Sequence, residues 1–363
     1  MAISSRLVRA RDDLRAAALD VLVITNLANL RYLTGFRGTA GAALVTATDC
    51  ILVVDFRYLT DARQLVASRT DGALHLELAA GGYDEALAAI VGRVGAQHLG
   101  FEAASMTVSR FNHLSAALGS GRGLMPTERL VENRRAVKDA AELATLRDAA
   151  TRLSSVARQV TAFARPGRDE LAVAADIDAA IRAAGFERPA FETIVASGPN
   201  SARPHARPGP RILGAGEGVV LDFGGVYDGY CVDLTRTVQL GAAGPELRRI
   251  RKAVREAHAA AIAAVRPGAR PSEIDGAARD VLAGYGLGEA FGHGTGHGLG
   301  LEVHEAPWIT RLPAALPDTP VVPGMVFTIE PGAYVEGIGG VRIEDDVLVV
   351  EGGCEILTDV PIE

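Results

Sequence analysis

The chain of 363 residues is long for one typical domain and short for three, and its 48% hydrophobic and 22% charged residues suit a soluble globular protein with a sizeable core. A formal net charge of −7 argues against nucleic acid or an anionic membrane surface as the main partner. No uncharged apolar run reaches the roughly 18 residues of a membrane span. The first residues, MAISSRLVRARDDLRAAALD, carry acids and arginines where a signal peptide needs an apolar run, so the expectation is a cytoplasmic protein. Cys50, Cys231 and Cys354 are odd in number and lack metal or redox spacing, and they read as reduced thiols.

The first third alternates helix and strand patterns. SRLVRARDDLRAAAL has apolar residues at helical spacing. DVLVIT (20–25), GAALVT (41–46) and CILVVD (50–55) read as short buried strands. DEALAAIVGRVGA reads as a helix and HLGFE as a further strand, which together predict an α/β domain over residues 1–130. The stretch LGSGRGLMPTERLVENRR has glycines, a proline and little periodicity, and the boundary is placed within it, giving a second domain over 131–363.

A long amphipathic helix follows, with Asp139 and Glu142 spaced as a capping box and Pro166 unable to continue it. RPGRDELAVAADIDAAIRAAGF (165–186) then resembles RPGARPSEIDGAARDVLAGYGL (266–287), each with Arg-Pro-Gly, an Ile-Asp pair and a terminating glycine. A duplicated unit predicts two similar α/β halves with a site at their seam.

VVLDFGGVYDGYCVDLTRTVQL (219–240) reads as a hairpin about Asp228-Gly229. A two-residue turn pairs Tyr227 with Tyr230 and Gly224 with Asp233, so Asp222 and Asp233 share a face as diagonal neighbours, with Gly224 leaving room between them. Two such acids among Val, Leu and Phe need protonation, a partner such as Arg236, a solvated face, or a metal. Near the C-terminal end of the sequence, Glu330 precedes Pro331 and Glu344 lies in GVRIEDDVLV, both within apolar strand patterns. Asp345 points to the opposite face from Glu344. Asp346 shares Glu344's face and rivals it on spacing alone.

Three of the eight histidines fall in GHGTGHGLGLEVHE (292–305). His293 and His297 have the spacing of the helical zinc motif H-E-x-x-H, but no Glu follows His293 and two intervening glycines disfavour a helix by about 1 kcal/mol each. The glycines suit an extended segment packed closely against its neighbours. His75, His98, His113 and His258 match no motif.

LDFGGVYDGYCVDLTRT, FGHGTGHGLGLEVHE, FTIEPGAY and GGVRIEDDVLV resemble, in order, the four signature blocks of the pita-bread metallopeptidases, a family spanning methionine aminopeptidase, aminopeptidase P, prolidase and the metal-free creatinase. The resemblance covers roughly residues 135–363. The N-terminal domain is similar to that of the creatinase, prolidase and aminopeptidase P branch, which methionine aminopeptidases usually lack. It implies an α/β N-terminal domain followed by an α+β pita-bread catalytic domain with a pseudo-twofold duplication.

The resemblance further implies five ligands for two divalent ions: Asp222, Asp233, His297, Glu330 and Glu344, with Asp233 and Glu344 bridging. It chooses His297 over His293 and Glu344 over Asp346. Carboxylate and imidazole ligands suit manganese first, with cobalt, zinc or iron also admitted. Two metals roughly 3.5 Å apart activate a bridging hydroxide, and one also polarises the scissile carbonyl. Glu330 resembles the general base and acid, and His304 the histidine that steadies the tetrahedral intermediate. His293 and His205 resemble the pair lining the pocket for substrate carbonyl and proline, and Arg342 the partner that orients a bridging carboxylate. Some dipeptidases carry arginine after HE-x-P; here Trp308 stands there, with Arg311 near.

The implied activity is hydrolysis of Xaa-Pro bonds in short proline-containing peptides or dipeptides by a homodimeric metallopeptidase. Methionine aminopeptidase activity, creatinase-like chemistry and a non-catalytic binding role on the same fold are the alternatives.

Overall fold

The computed structural model describes residues 2–70, 72–311 and 318–361. The chain divides into two compact units, Met1–Arg135 and Ala136–Glu363. Among the described residues no helix is long and apolar enough to cross a membrane.

The N-terminal unit is built on β1 (Val21–Ile24), β2 (Ala42–Thr46), β3 (Cys50–Val54), β4 (Leu74–Leu78), β5 (His98–Glu102) and β6 (Gly123–Thr127), in the spatial order β4-β3-β2-β1-β5-β6. β1 pairs antiparallel with β2 and parallel with β5, so the sheet is mixed. β1 is buried along its whole length, which is why it reads as an unbroken apolar run. Helices over Tyr83–Val94 and Val108–Leu118 cover one face with Leu87, Ile90, Leu114 and Leu118. β6 lies inside the stretch that the sequence presents as aperiodic. It is an edge strand with mostly exposed side chains and a proline, so no burial pattern marks it.

The second unit repeats one plan twice. α1 (Ala140–Phe163) and α2 (Glu170–Ala183) precede β7 (Arg188–Pro189), β8 (Ile194–Ser197), β9 (Gly218–Tyr227) and β10 (Tyr230–Gln239). α3 (Pro245–Ala264) and α4 (Pro271–Gly284) precede β11 (Gly296–Gly298), β12 (Glu305–Ile309), β13 (Val326–Ile329), β14 (Gly332–Val335), β15 (Gly339–Arg342), β16 (Asp345–Val350) and β17 (Gly353–Ile356). Asp139 caps α1 in a full capping box with Glu142. Each Arg-Pro-Gly ends in a left-handed glycine, Gly167 at φ 89° and Gly268 at φ 87°. Each Ile-Asp pair buries its isoleucine and turns its aspartate onto a threonine hydroxyl: Thr193 donates to Asp178 (2.6 Å) and Thr295 to Asp275 (2.8 Å). The duplication visible in the sequence is therefore a repeated device for joining a helix to the strands that follow.

β9 and β10 form the expected hairpin, with Tyr227 opposite Tyr230 and Gly224 opposite Asp233. Asp228 and Gly229 both have positive φ, 44° and 72°, as a type I′ turn requires. The second half forms a sheet in the order β12-β11-β13-β16-β17, and a bridge between Thr235 and Glu344 brings the two halves together.

Candidate active site

Every residue singled out from the sequence for the site lines one cavity of about 490 Å³: Asp222, Asp233, Glu330, Glu344 and His297, together with His205, His293, His304 and Arg342. Asp222 and Asp233 come from the hairpin face on which alternation puts both. Gly224 lies between them, but the space over it is not open. A Cβ there would stand 2.8 Å from the Phe191 ring and 2.4 Å from the Val232 carbonyl, so Phe191 already fills the room that the glycine leaves.

The histidine stretch is extended, not helical. A Cβ on Gly296 would sit 1.8 Å from the Thr328 carbonyl, so only glycine lets β11 approach β13 this closely. His297 Nδ1 lies 3.1 Å from the Gly298 carbonyl. A carbonyl only accepts, so Nδ1 carries the proton and Nε2 keeps its lone pair. Nε2 faces Glu330 Oε1 at 3.5 Å and Asp233 Oδ2 at 4.0 Å. Burial, and then His304 beside it, lowers the His297 pKa to about 4, which keeps the ring neutral.

Donor atoms of Asp233, His297 and Glu344 all lie within 4.8 Å of one another. Burial first, and neighbouring carboxylates second, push Asp233 and Glu344 well above the usual carboxylate range. Burial likewise raises Glu330 to about 7. Asp222 Oδ1 and Asp233 Oδ1 are buried without a hydrogen-bond partner. Such a cluster is costly unless cations or protons offset it, and the unpartnered oxygens and the free Nε2 are donors a divalent ion uses. The residues present therefore fit a metal site.

Around this cluster runs a layer of donors. Arg342 Nη2 donates to Asp222, and its Nε donates to the Thr235 hydroxyl (3.2 Å), which donates to Glu344 Oε2 (2.6 Å). Arg342 thus holds Asp222 directly and reaches Glu344 through Thr235. Arg342 Nη1 also donates to the Tyr334 hydroxyl (2.8 Å). Tyr334 stands 2.9 Å from His293 Nε2, while His293 Nδ1 faces the Gly294 carbonyl at 2.8 Å. His293 Nε2 is then an acceptor, and burial lowers this ring to about 4.

His304 and Trp308 stand at the mouth of the cavity, both exposed, with nearly parallel rings 6.4 Å apart. The His304 ring meets His297 edge-on at 4.2 Å, and its pKa is lowered by partial burial and by His205. His205 is exposed on the loop between Pro204 and Pro208. Arg311 is not among the described residues that line the cavity, and its Nε stands 3.9 Å from Asp275. His75 and His98 are surface residues paired with Asp49 and Asp20.

The two acids that follow Glu344, Asp345 on the opposite face and its rival Asp346, have other partners. Asp345 points away from the cavity, where Arg236 (2.7 Å), His258 (3.1 Å) and the Thr358 hydroxyl (2.9 Å) surround it. This also accounts for Arg236, which serves neither hairpin aspartate. Asp346 accepts the backbone N–H of Asp233 (3.0 Å) and is absent from the cavity wall. Sequence reasoning missed Thr235, Tyr334 and Phe191. They sit within apolar or turn-rich stretches, and no local spacing distinguishes them.

Comparison with known proteins decides the family. Residues 144–351 match the metallopeptidase family M24, and residues 6–137 match the creatinase/prolidase N-terminal domain. The chain belongs to metallopeptidase family M24. It is 37% identical over 358 residues to the uncharacterized peptidase YqhT of Bacillus subtilis, covering 99% of both chains. A solved Xaa-Pro dipeptidase from Bacillus anthracis superposes with a TM-score of 0.93 at 36% identity, over 99% of both chains. An X-Pro aminopeptidase from Thermotoga maritima gives 0.86 at 34% identity, over 97% of this chain and 99% of its own. The M24 fold and the creatinase-type N-terminal domain expected from the sequence are those of the molecule.

Proposed function

We propose that this M24 peptidase is a dinuclear, metal-dependent exopeptidase that hydrolyses the Xaa-Pro bond at the N-terminus of short peptides or in Xaa-Pro dipeptides. One observation carries the reading: four carboxylates and one neutral imidazole converge on a single cavity, with two buried carboxylate oxygens left without donors. Asp222, Asp233, His297, Glu330 and Glu344 would hold two divalent cations, whose charge balances four carboxylates. Manganese is the first choice, with cobalt, zinc or iron also suited to these ligands. Bound there, the ions supply Lewis acidity, lowering the pKa of a water and polarising the scissile carbonyl.

The chain's own groups do the rest. Glu330, on the wall of the cavity, would take the proton released by the attacking water and pass it to the departing proline nitrogen. His304 is lowered by partial burial and stands at the mouth, where its ring meets the substrate carbonyl. His293, fixed between Tyr334 and Gly294, and His205 line the path of the peptide. Arg342 orients Asp222, and through Thr235 it steadies Glu344. The names borne by the Bacillus anthracis and Thermotoga maritima relatives supply the Xaa-Pro preference. Free cysteines suit a cytoplasmic setting, and the family resemblance carries a homodimer, which sedimentation measures.

The test compares hydrolysis of Ala-Pro, Ala-Pro-Ala and Met-Ala by chelator-treated protein with and without added Mn²⁺. The expected result is metal-dependent cleavage of the proline substrates. Full activity in the metal-free sample, or preference for Met-Ala, overturns the reading.

A further inference from the structure

A second cavity, of about 380 Å³, is lined from the C-terminal part of β10 by Arg236, Thr237, Val238 and Gln239, beyond the part of the strand that carries Asp233 and Thr235. Its volume is within the range of small-molecule sites. Val238, Val341 and Ile343 give it an apolar wall, and Arg158, Arg236 and Arg251 stand around it. No acidic side chain is among the described residues that line it.

Two of its polar groups are incompletely used. Arg236 is buried, yet its Nε has no hydrogen-bond partner, and neither has Gln239 Nε2. A buried donor without an acceptor costs free energy that a ligand oxygen recovers. Arg158 donates to the Asp359 carbonyl (2.6 Å) and faces its carboxylate at 3.7 Å, but that carboxylate is almost wholly exposed, so water screens the ion pair and a ligand anion competes with it. A lining that combines arginine and amide donors with Val238, Val341 and Ile343 suits an acceptor group on a short aliphatic body.

Arg236 also ties this cavity to the catalytic one. Its Nη1 donates to the Glu344 carbonyl (2.6 Å) and the Thr235 carbonyl (3.0 Å), and its Nη2 to Asp345 (2.7 Å) and the Val360 carbonyl (2.8 Å). The guanidinium therefore clamps the strand that carries Asp233 to the segment that carries Glu344.

We propose that this cavity is a second ligand site, selective for a small carboxylate with a branched aliphatic body, and that its occupancy alters turnover through Arg236. The site stands independently of the peptidase reading; only the effect on turnover depends on it. Calorimetry with 4-methylpentanoate, and with 4-methylpentan-1-ol as the uncharged control, tests the site on the full chain.

Saturable binding of the acid is expected, with the alcohol about tenfold weaker, the worth of one hydrogen bond to a charged group. Gln239→Met and Arg158→Gln should each weaken the acid by a similar factor, and Val238→Phe, which fills the cavity, should abolish binding. None of the three residues lines the catalytic cavity, so basal hydrolysis stays unchanged. Saturating acid should then change kcat on Ala-Pro without raising KM, and lose that effect in Val238→Phe. Absent binding, equal binding of the alcohol, or binding that survives all three substitutions overturns the site. Binding with unchanged kcat, or with a rise in KM alone, overturns the coupling. Failure of Ala-Pro hydrolysis in every sample would overturn the peptidase reading and leave the binding result standing.

Discussion

Glu344 and Asp345 are adjacent in sequence and equally buried, yet they live in opposite electrostatic settings. Asp345 is enclosed by Arg236, His258 and Thr358, so its charge is matched within the protein. Glu344 faces Asp222, Asp233 and Glu330 across a cavity, with one hydroxyl and a distant guanidinium as relief. A strand's alternation of faces is enough to put one acid into a structural ion pair and the next among four carboxylates that outnumber the Arg342 guanidinium beside them. The difference teaches where the molecule needs something it does not itself contain.

The largest effect that sharpens this comparison is expected for Asp233→Ala. Activity should fall by about three orders of magnitude or more, since Lewis-acid assistance is worth several kcal/mol. The same variant, metal-free, should melt higher than the parent, because one of several repelling buried acids is gone. Enzyme assay and thermal melting check both halves, and a lower metal-free Tm would break the comparison.

Asp345→Ala should do the reverse. It strands Arg236 and His258 in the interior and costs about 3–5 kcal/mol of stability. Denaturant unfolding measures it, and retained stability would show that the pair around Asp345 carries no such role.

A smaller effect separates the two settings by pH. Asp233, Glu330 and Glu344 have raised pKa values, so the metal-free folded state holds protons that the unfolded chain has already released. Their contribution is fully present below the unfolded carboxylate pKa of about 4.3 and is lost as pH rises through the folded values, about 7 for Glu330. The Tm of chelator-treated protein should therefore fall between about pH 5 and about pH 8, and added Mn²⁺ should flatten the slope. A flat profile without metal would count against the cluster.

Tyr334→Phe removes the hydroxyl shared by His293 and Arg342 and should lower kcat/KM about tenfold, in line with the loss of an outer partner of a metal site. The smallest effect is Gly229→Ala in the hairpin turn, about 1 kcal/mol, because an L side chain is strained at φ 72°. It tests whether turn chemistry alone holds the aspartates in register.

Much of this was legible locally. The Asp228-Gly229 turn dictates the register of β9 and β10, and that register dictates that Asp222 and Asp233 share a face. The capping box of α1 and the left-handed glycines of both Arg-Pro-Gly turns follow from residue chemistry within a few positions. The edge strand β6 was not legible, because an exposed strand has no burial period to display.

Whether the hairpin acids face solvent, an arginine or a metal is not a local property. Arg236 lies three residues from Asp233 in sequence, yet alternation and the packing of β16 give it to Asp345. His297, Glu330 and Glu344 come to the aspartates because the second half of the unit packs its strands against the hairpin of the first. The sequence by itself determined the turns, the caps, the strand faces and, through its signature blocks, the family. Only the tertiary structure decided which buried charges are matched within the protein and which are left open, because that balance is struck between residues about a hundred positions apart.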